Sequence, residues 1–259
     1  MGPASAWLLA LLVMALPAGA DGGAGADAQR AEGERSPAAN PAQRAEGERS
    51  PEPASACVER AVEAIQRRYA SLRDLRARFV QETRSVALGG ASLSRATRSR
   101  GTVVLAKPGK MRWSYEAPEA SLVVSDGATL WIYDPARGEA QRFQVGEGYL
   151  SGAAIQFLLG AGDLRREFDL GAQSCDADAI ELDLVPRRPA AYERLHVRAD
   201  PATGHLLATQ VIDLVGNVTS IEFSEIQVDR DPPAETFRFD PPSGVRVIEL
   251  EAPAGGGSP

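Results

Sequence analysis

Histidine and cysteine are both scarce in this chain, which has two of each among its 259 residues. The sequence also lacks a glycine-rich phosphate-binding loop, a zinc-ligand spacing and a nucleophile motif. His196 and His205 stand singly in alternating strand patterns, where a lone histidine is usually a surface or core residue. These absences argue against an enzyme, and we expect no cofactor.

Metal-ligand clusters are equally sparse. Paired aspartates occur as Asp176 with Asp178 and as Asp229 with Asp231. Both pairs lie in turn sequences, where aspartate is favoured for local hydrogen bonds, and no further ligands are spaced to help them. We therefore predict no metal site. The formal net charge of -7 argues in addition against nucleic acid as a partner.

Long apolar runs are lacking except near the N-terminus. Residues 7–16 have the length of a signal-peptide core and are followed by Pro17 and three small residues. We predict a signal peptide over residues 1–20, removed before Asp21. No other run approaches the roughly 20 apolar residues of a transmembrane helix, and no cysteine lies near the cleavage site to carry a lipid.

Residues 21–56 contain no Leu, Ile, Val or aromatic residue, and they repeat AQRAEGERSP at 28–37 and 42–51. Such a segment cannot bury enough apolar surface to offset its ordering entropy. We predict a disordered tether there, with a binding tail as the alternative, then one folded domain over residues 57–250 and a disordered tail over 251–259.

The folded part is organised around residues 101–135. Four strand patterns, at 101–107, 110–116, 121–125 and 128–134, are separated by turn sequences that include Lys107-Pro108-Gly109 and Asp126-Gly127. An Asp-Gly pair between β-branched and aromatic residues predicts a hairpin whose two central residues both have positive φ. This stretch therefore predicts an antiparallel meander.

Helical spacing of apolar residues predicts an amphipathic helix over 58–72, and alternation predicts a strand over 72–86 with Leu75, Ala77, Phe79 and Gln81 on one face. Residues 87–99 read as a loop, and 151–162 as a short apolar helix. Further strands are predicted at 139–145, 165–172, 179–186, 192–200, 205–214 and 218–227.

Strands at hairpin spacing without helical crossovers predict a mainly β fold of the α+β class, with about eleven strands in one antiparallel sheet. So long a sheet must curl or close. Its inward residues are large and apolar, and only two or three short helices are available to cover them. A filled β-sheet core and a ligand cavity are both consistent with this pattern.

Four sequence motifs favour the ligand cavity over the filled core. They are Phe79-Val80-Gln81, KPGKMRWSYEAP, LVVSDGATLWIYDP and FRFDPPSGVRVIE at 237–249. With these the domain resembles the LolA family of periplasmic carriers of outer-membrane lipoproteins. The resemblance implies an incomplete β-barrel with a helical lid over a hydrophobic cavity. It also implies a periplasmic monomer that takes acylated lipoproteins from an inner-membrane ABC transporter to an outer-membrane receptor.

On that resemblance, the acyl chains would contact a set of apolar residues on the inner wall: Phe79, Val103, Leu105, Met111, Trp113, Tyr115, Val123, Leu130, Ile132, Phe157 and Leu158. Family members use an inward-pointing Arg before the first turn proline to hold the lid, and this chain has Lys107 there. We expect a weaker latch, because lysine lacks the planar fork of arginine. An exposed turn lysine is the alternative.

Two other functions remain open on the same scaffold, namely a lipoprotein sensor of the RseB type and a carrier of another lipid. The oxidising compartment also allows a disulfide between Cys57 and Cys175. The sequence neither requires that bond nor excludes it.

Overall fold

Alternating burial runs through twelve strands that form one continuous sheet. The structure is a computed structural model that describes residues 54–86, 96–144 and 163–250. The signal peptide, the predicted tether up to residue 53, the helix predicted at 151–162 and the tail therefore lie outside the described residues, whereas residues 54–56, predicted as tether, are helical. In the described part, no helix is long and apolar enough to cross a membrane.

Within the described ranges, two α-helices and a 3-10 turn accompany the strands. In chain order the elements are α1 (Ala54–Ser71), β1 (Asp74–Arg84), β2 (Thr97–Ala106), β3 (Lys110–Ala117), β4 (Ser121–Ser125), β5 (Thr129–Asp134), β6 (Glu139–Gln144), α2 (Leu164–Glu167), β7 (Phe168–Cys175), β8 (Ile180–Pro186), β9 (Tyr192–Ala199), β10 (Leu206–Asp213), β11 (Val218–Val228), the 3-10 turn (Ala234–Phe237) and β12 (Arg246–Leu250).

The sheet has the strand order β12-β6-β5-β4-β3-β2-β1-β11-β10-β9-β8-β7, so β12 and β7 are its two free edges. The inner faces of the strands and the apolar face of α1 bury their side chains in one cluster. An open, curled sheet with few helices fits the predicted incomplete barrel. The predicted fold class is confirmed.

All eleven predicted strands are present as β1–β11, but the twelfth was missed. The eleven predicted strands pair antiparallel with one another, as predicted, whereas the added β12 pairs parallel with β6. After β11 the chain crosses the outer face, where Phe239 packs on Trp131 and Tyr133 and Thr236 O accepts from Arg112. Parallel pairing needs such a crossover connection. The residue pattern within 246–250 does not by itself predict a parallel strand.

Three local predictions also differ. Residues 97–99 extend β2 rather than forming a loop, because β1 continues far enough to pair Gln81 with Ser99. Residues 165–167, predicted as strand, belong to α2, which Asp163 caps by accepting a hydrogen bond from the Arg165 amide at 2.9 Å. Residues 54–57 lie in α1, which begins before the predicted start at 58.

The Asp126-Gly127 hairpin is confirmed, but its conformation differs from the prediction. Only Gly127 has positive φ, at 97°. The Asp126 carboxylate instead accepts hydrogen bonds from the amides of Ala128 and Thr129, both at 2.8 Å. In a turn of this kind the aspartate side chain accepts the hydrogen bonds of the loop amides. The aspartate backbone therefore does not need the left-handed conformation.

Candidate functional site

The inner wall predicted from sequence lies on one face of β1–β5. Register places Ala77, Val103, Trp113, Val123 and Ile132 in one row across these strands. Eight of the residues predicted to contact acyl chains are buried in the core cluster, and a ninth packs against it: Phe79, Val103, Met111, Trp113, Tyr115, Val123, Leu130 and Ile132, with Leu105. Phe157 and Leu158 lie outside the described residues.

An aromatic cluster occupies the middle of this wall. The Phe79 ring centroid lies 5.0 Å from those of both Trp113 and Tyr115, in edge-on contacts. Gly101 pairs with Phe79, and a Cβ on Gly101 would come within 1.9 Å of the Ser114 carbonyl oxygen. The absence of a side chain at Gly101 is therefore what lets β2, β3 and the Phe79 ring approach this closely.

One polar pair interrupts the apolar wall. The Tyr115 hydroxyl donates to Gln81 Oε1 at 3.0 Å, and Gln81 is 1% exposed. Burial raises the pKa of Tyr115, so the phenol stays neutral and remains a donor. The sequence placed Gln81 on the inner face, but nothing in it indicated the partner.

The described apolar wall is closely packed against α1. A cavity of about 20 Å³ lies between them, lined by Tyr69, Leu75, Ala77, Val103, Leu105, Trp113, Phe223 and Ile226. This volume is close to that of a single water site, and it is far below the size of an acyl chain. In the described part of the wall, the inner residues make a packed core with α1.

Lys107 lies at the end of β2 and contacts the last turn of α1. Its Nζ donates to the carbonyl oxygens of Tyr69 at 2.6 Å and Ala70 at 3.0 Å. Carbonyl groups in the last turn of a helix generally lack donors within the helix, and the helix C-terminus favours a cation. Burial lowers the pKa of Lys107, which the nearby Asp229 partly opposes. The side chain is thus in the place that the latch prediction requires.

A second contact with α1 comes from the turn between β9 and β10. Arg68 Nε donates to His205 Nε2 at 2.7 Å, and the amide of Leu206 donates to the Tyr69 hydroxyl at 3.3 Å. Gly204 has φ of +71°, and a Cβ there would lie 2.6 Å from the Ala64 carbonyl oxygen. Sequence analysis missed this contact, and the glycine before His205 was its only local signal.

The N-terminal half of α1 is fixed differently. A disulfide joins Cys57 to Cys175 in β7, with Cα atoms 6.3 Å apart. Arg165 of α2 donates to the Glu59 carboxylate at 2.8 Å and to Gln66 Oε1 at 2.9 Å. The helix is therefore held covalently near its start and by hydrogen bonds near its end.

The aspartate pairs have structural partners. Asp229 accepts from the Arg73 amide at 3.0 Å, and the Asp176 amide donates to the Ala179 carbonyl across a hairpin turn. His196 pairs with Asp183 on the sheet. Across the described ranges no group of three possible metal ligands occurs.

Comparisons with a family model and with individual proteins both find outer-membrane lipoprotein carriers. The family model described as "Outer membrane lipoprotein carrier protein LolA" matches residues 70–240. An outer-membrane lipoprotein carrier protein of Dechloromonas aromatica is 34% identical over 151 residues, which is 58% of this chain and 71% of that protein. The carrier protein of Cupriavidus pinatubonensis is 30% identical over 191 residues, covering 73% of this chain and 87% of that protein.

Among solved structures, an uncharacterized conserved protein from Thermus thermophilus matches at 11% identity. The match covers 74% of this chain and 98% of that one, with a TM-score of 0.48. At this similarity the structural likeness adds nothing to the sequence match.

Proposed function

Because the chain belongs to the LolA family of outer membrane lipoprotein carrier proteins, we propose that it is a periplasmic carrier that shields the acyl chains of lipoproteins. The observation that carries this proposal is the continuous apolar inner wall of β1–β5 beneath a separately anchored helix. Its residues would contact the acyl chains once the wall and α1 separate. The proposed role is carriage and does not require a chemical step.

A carrier of this kind is needed because lipid cannot cross water unaided. If an acyl chain has about fifteen methylenes, exposing it costs roughly 12 kcal/mol at about 0.8 kcal/mol per CH₂. The proposed partners are an inner-membrane ABC transporter that supplies lipoprotein and an outer-membrane receptor that accepts it. The periplasm contains no ATP, so transfer to the receptor must run toward higher affinity.

The packing of α1 against the described wall suits this requirement. Binding must first separate α1 from the wall, and the free energy of that opening is subtracted from the affinity for the acyl chains. A carrier that is stable when closed therefore binds its cargo less tightly than a preformed cavity would. We propose that the contacts of Lys107 and His205 with α1 set this opening cost.

The test is to purify the protein from periplasm and to identify the bound molecules by mass spectrometry. We expect acylated peptides or lipoproteins. Free phospholipid or another lipid would replace this function by carriage of that lipid. An empty protein that co-purifies with a membrane-protein partner would favour a sensor and contradict the carrier.

A further inference from the structure

Buried polar side chains gather at one end of the inner wall. Apart from tyrosine, five polar or charged residues are buried in the described ranges. Asp74 and Ser125 accept hydrogen bonds from backbone amides just beyond strand ends. The other three, Gln81, Ser99 and Thr219, lie on the inner faces of the adjacent strands β1, β2 and β11. No turn or helix end explains why these three are polar.

Strand pairing brings this group together. Gln81 lies opposite Ser99, and Thr83 lies opposite Thr219. The Tyr115 hydroxyl reaches the same place from β3 and donates to Gln81 Oε1. We call these five residues the polar end of the wall.

The polar end and Lys107 lie at opposite ends of β1. The first residue of this strand, Asp74, pairs with Ala106, which directly precedes Lys107. From Leu75 to Gln81 the strand rises about 20 Å at about 3.3 Å per residue, and the inner residues between them are apolar. This length is comparable with that of an extended acyl chain.

The hydrogen-bonding groups of the polar end are only partly used within the protein. Gln81 Nε2 donates to Thr83 Oγ1 at 3.4 Å, and the Thr83 and Thr219 hydroxyls are also 3.4 Å apart. Both distances exceed the roughly 2.7–3.2 Å of a good hydrogen bond. Ser99 Oγ, in a residue 2% exposed, has no hydrogen-bond partner in the described part of the chain. A buried hydroxyl without a partner destabilises a fold, so its presence indicates a partner from outside the protein.

The chemistry of the polar end selects a neutral acceptor. The Gln81 carbonyl oxygen already accepts from Tyr115, whereas the Ser99 hydroxyl remains available as a donor. The charged neighbours Glu82, Arg98 and Arg100 alternate to the outer face of the sheet, so an anion bound inside would lack a cation. A carbonyl oxygen accepts hydrogen bonds and donates none, and an ester carbonyl is the polar group that directly precedes a glycerol-linked acyl chain.

We propose that the polar end binds an ester carbonyl of the acylated cargo, with Ser99 Oγ as the donor, and that the acyl chain extends from there along the wall toward Lys107. The proposal rests on the carrier function, because the acyl chains must occupy the wall. It gives the wall a preference for acyl esters over alkyl chains of the same length.

Two ligands that differ only at this linkage test the proposal on the intact chain. One is a synthetic peptide with two palmitoyl chains esterified to a glycerol group, and the other is its dihexadecyl ether analogue, which lacks the carbonyls. We expect the ratio of ester to ether affinity to be about fivefold higher in the wild type than in Ser99→Ala, the effect of one hydrogen bond of about 1 kcal/mol. Comparing ratios cancels the intrinsic difference in hydrophobicity between the two ligands.

The matched control is Ser114→Ala, which removes a hydroxyl from the outer face of β3 and should keep the wild-type ratio. Without ligand, Ser99→Ala should unfold at the same or a higher free energy than the wild type, because it removes an unpartnered buried hydroxyl. A second readout is the infrared stretch of the ester carbonyls labelled with ¹³C. A hydrogen bond lowers this frequency, which should therefore be lower in the wild type than in Ser99→Ala.

Phospholipids contain the same ester group and are the other source of this chemistry. A dipalmitoyl phospholipid is therefore bound in parallel with the peptide. Weaker binding of the phospholipid would support acylated cargo as the occupant of the polar end. Tighter binding of the phospholipid would assign the polar end to that lipid and contradict this proposal.

The outcomes separate the polar end from the carrier function. If both peptide ligands bind with the same ratio in the wild type and Ser99→Ala, the polar-end proposal is wrong and the carrier stands. A lower free energy of unfolding for Ser99→Ala, or an equal loss of the ratio in Ser114→Ala, would also reject Ser99 as the donor. If neither ligand binds to protein whose thermal unfolding is normal, the carrier function fails and the polar-end proposal fails with it.

Discussion

The proposed latch makes Lys107 the side chain whose contacts with α1 should limit the affinity for acyl chains. Replacing it with methionine removes the donor to Tyr69 O and Ala70 O, which we expect to make separation of α1 from the wall easier by about 1 kcal/mol. Because the proposed binding requires this separation, the Lys107→Met variant should bind an acylated peptide about fivefold more tightly.

The measurement is the equilibrium distribution of a fluorescent dipalmitoylated peptide between the protein and acceptor vesicles. Lys107→Arg keeps a cationic donor and should bind the peptide no more tightly than the wild type. Lys110→Met, which changes the other lysine next to the same turn, serves as the matched control. Unchanged affinity of Lys107→Met would exclude a latch at this position.

His205 predicts a pH dependence of stability. Burial lowers the pKa of His205 below 6.5, the neighbouring Arg68 acts in the same direction, and Asp200 opposes them. Between that lowered pKa and about 6.5 the unfolded chain binds more protons than the native protein. The free energy of unfolding should therefore fall as pH drops through this window, while above about pH 7 this contribution is fully present.

The measurement is the free energy of unfolding in urea between pH 5 and 8 for the wild type, His205→Gln and His196→Gln. His205→Gln should lose the decrease in this window, and His196→Gln, which removes the other histidine of the chain, should retain it. The same decrease in all three proteins would assign it to groups other than His205.

At the scale of an element, α1 is held by a covalent bond at one end and by turns at the other. The Cys57–Cys175 bond closes a sequence separation of 118 residues. Restriction of the unfolded chain by such a loop typically contributes about 2–4 kcal/mol. We expect the double variant Cys57→Ser with Cys175→Ser to lose about that much of the free energy of unfolding, measured in urea.

Hydrogen exchange locates the effect within α1. Amides in its N-terminal half should lose more protection in the double variant, because Lys107 and His205 still hold the C-terminal half. A reductant should destabilise the wild type and leave the double variant unchanged. Equal loss of protection along the whole helix would show that its two ends do not move independently.

At the scale of the molecule, we expect ligand binding to rearrange the described wall, since the cavity of about 20 Å³ between the wall and α1 is too small for an acyl chain. Two tryptophans of the folded domain report on this separately. Trp113 is 5% exposed on the inner wall. Trp131 lies on the outer face, where it contacts Phe239 and Arg142.

We expect a dipalmitoylated peptide to change the fluorescence of the Trp131→Phe variant, in which Trp113 is the remaining tryptophan of the folded domain. The fluorescence of the Trp113→Phe variant, which keeps Trp131, should stay nearly unchanged. The ligand should also raise the melting temperature of both variants if they bind, since ligand at 100 times Kd stabilises by about 2.7 kcal/mol. A response from Trp131 alone would place the lipid outside the inner wall.

The sequence by itself determined the strands β1–β11, the amphipathic face of α1 and the inner face of the sheet. These follow from periodicity along the chain, which records how each element is buried. The residues of the inner wall could be identified for the same reason. That their ligand is a lipid was predicted only from the resemblance to the LolA family.

Only the tertiary structure decided what these elements do to one another. Three contacts each join residues that are more than 100 positions apart: the parallel pairing of β12 with β6, the Cys57–Cys175 bond, and the contact of His205 with Arg68. Contacts of this kind leave no periodic signal in either partner. Their existence depends on how the sheet curls, which brings the end of α1, two turns and the outer segment together at one rim.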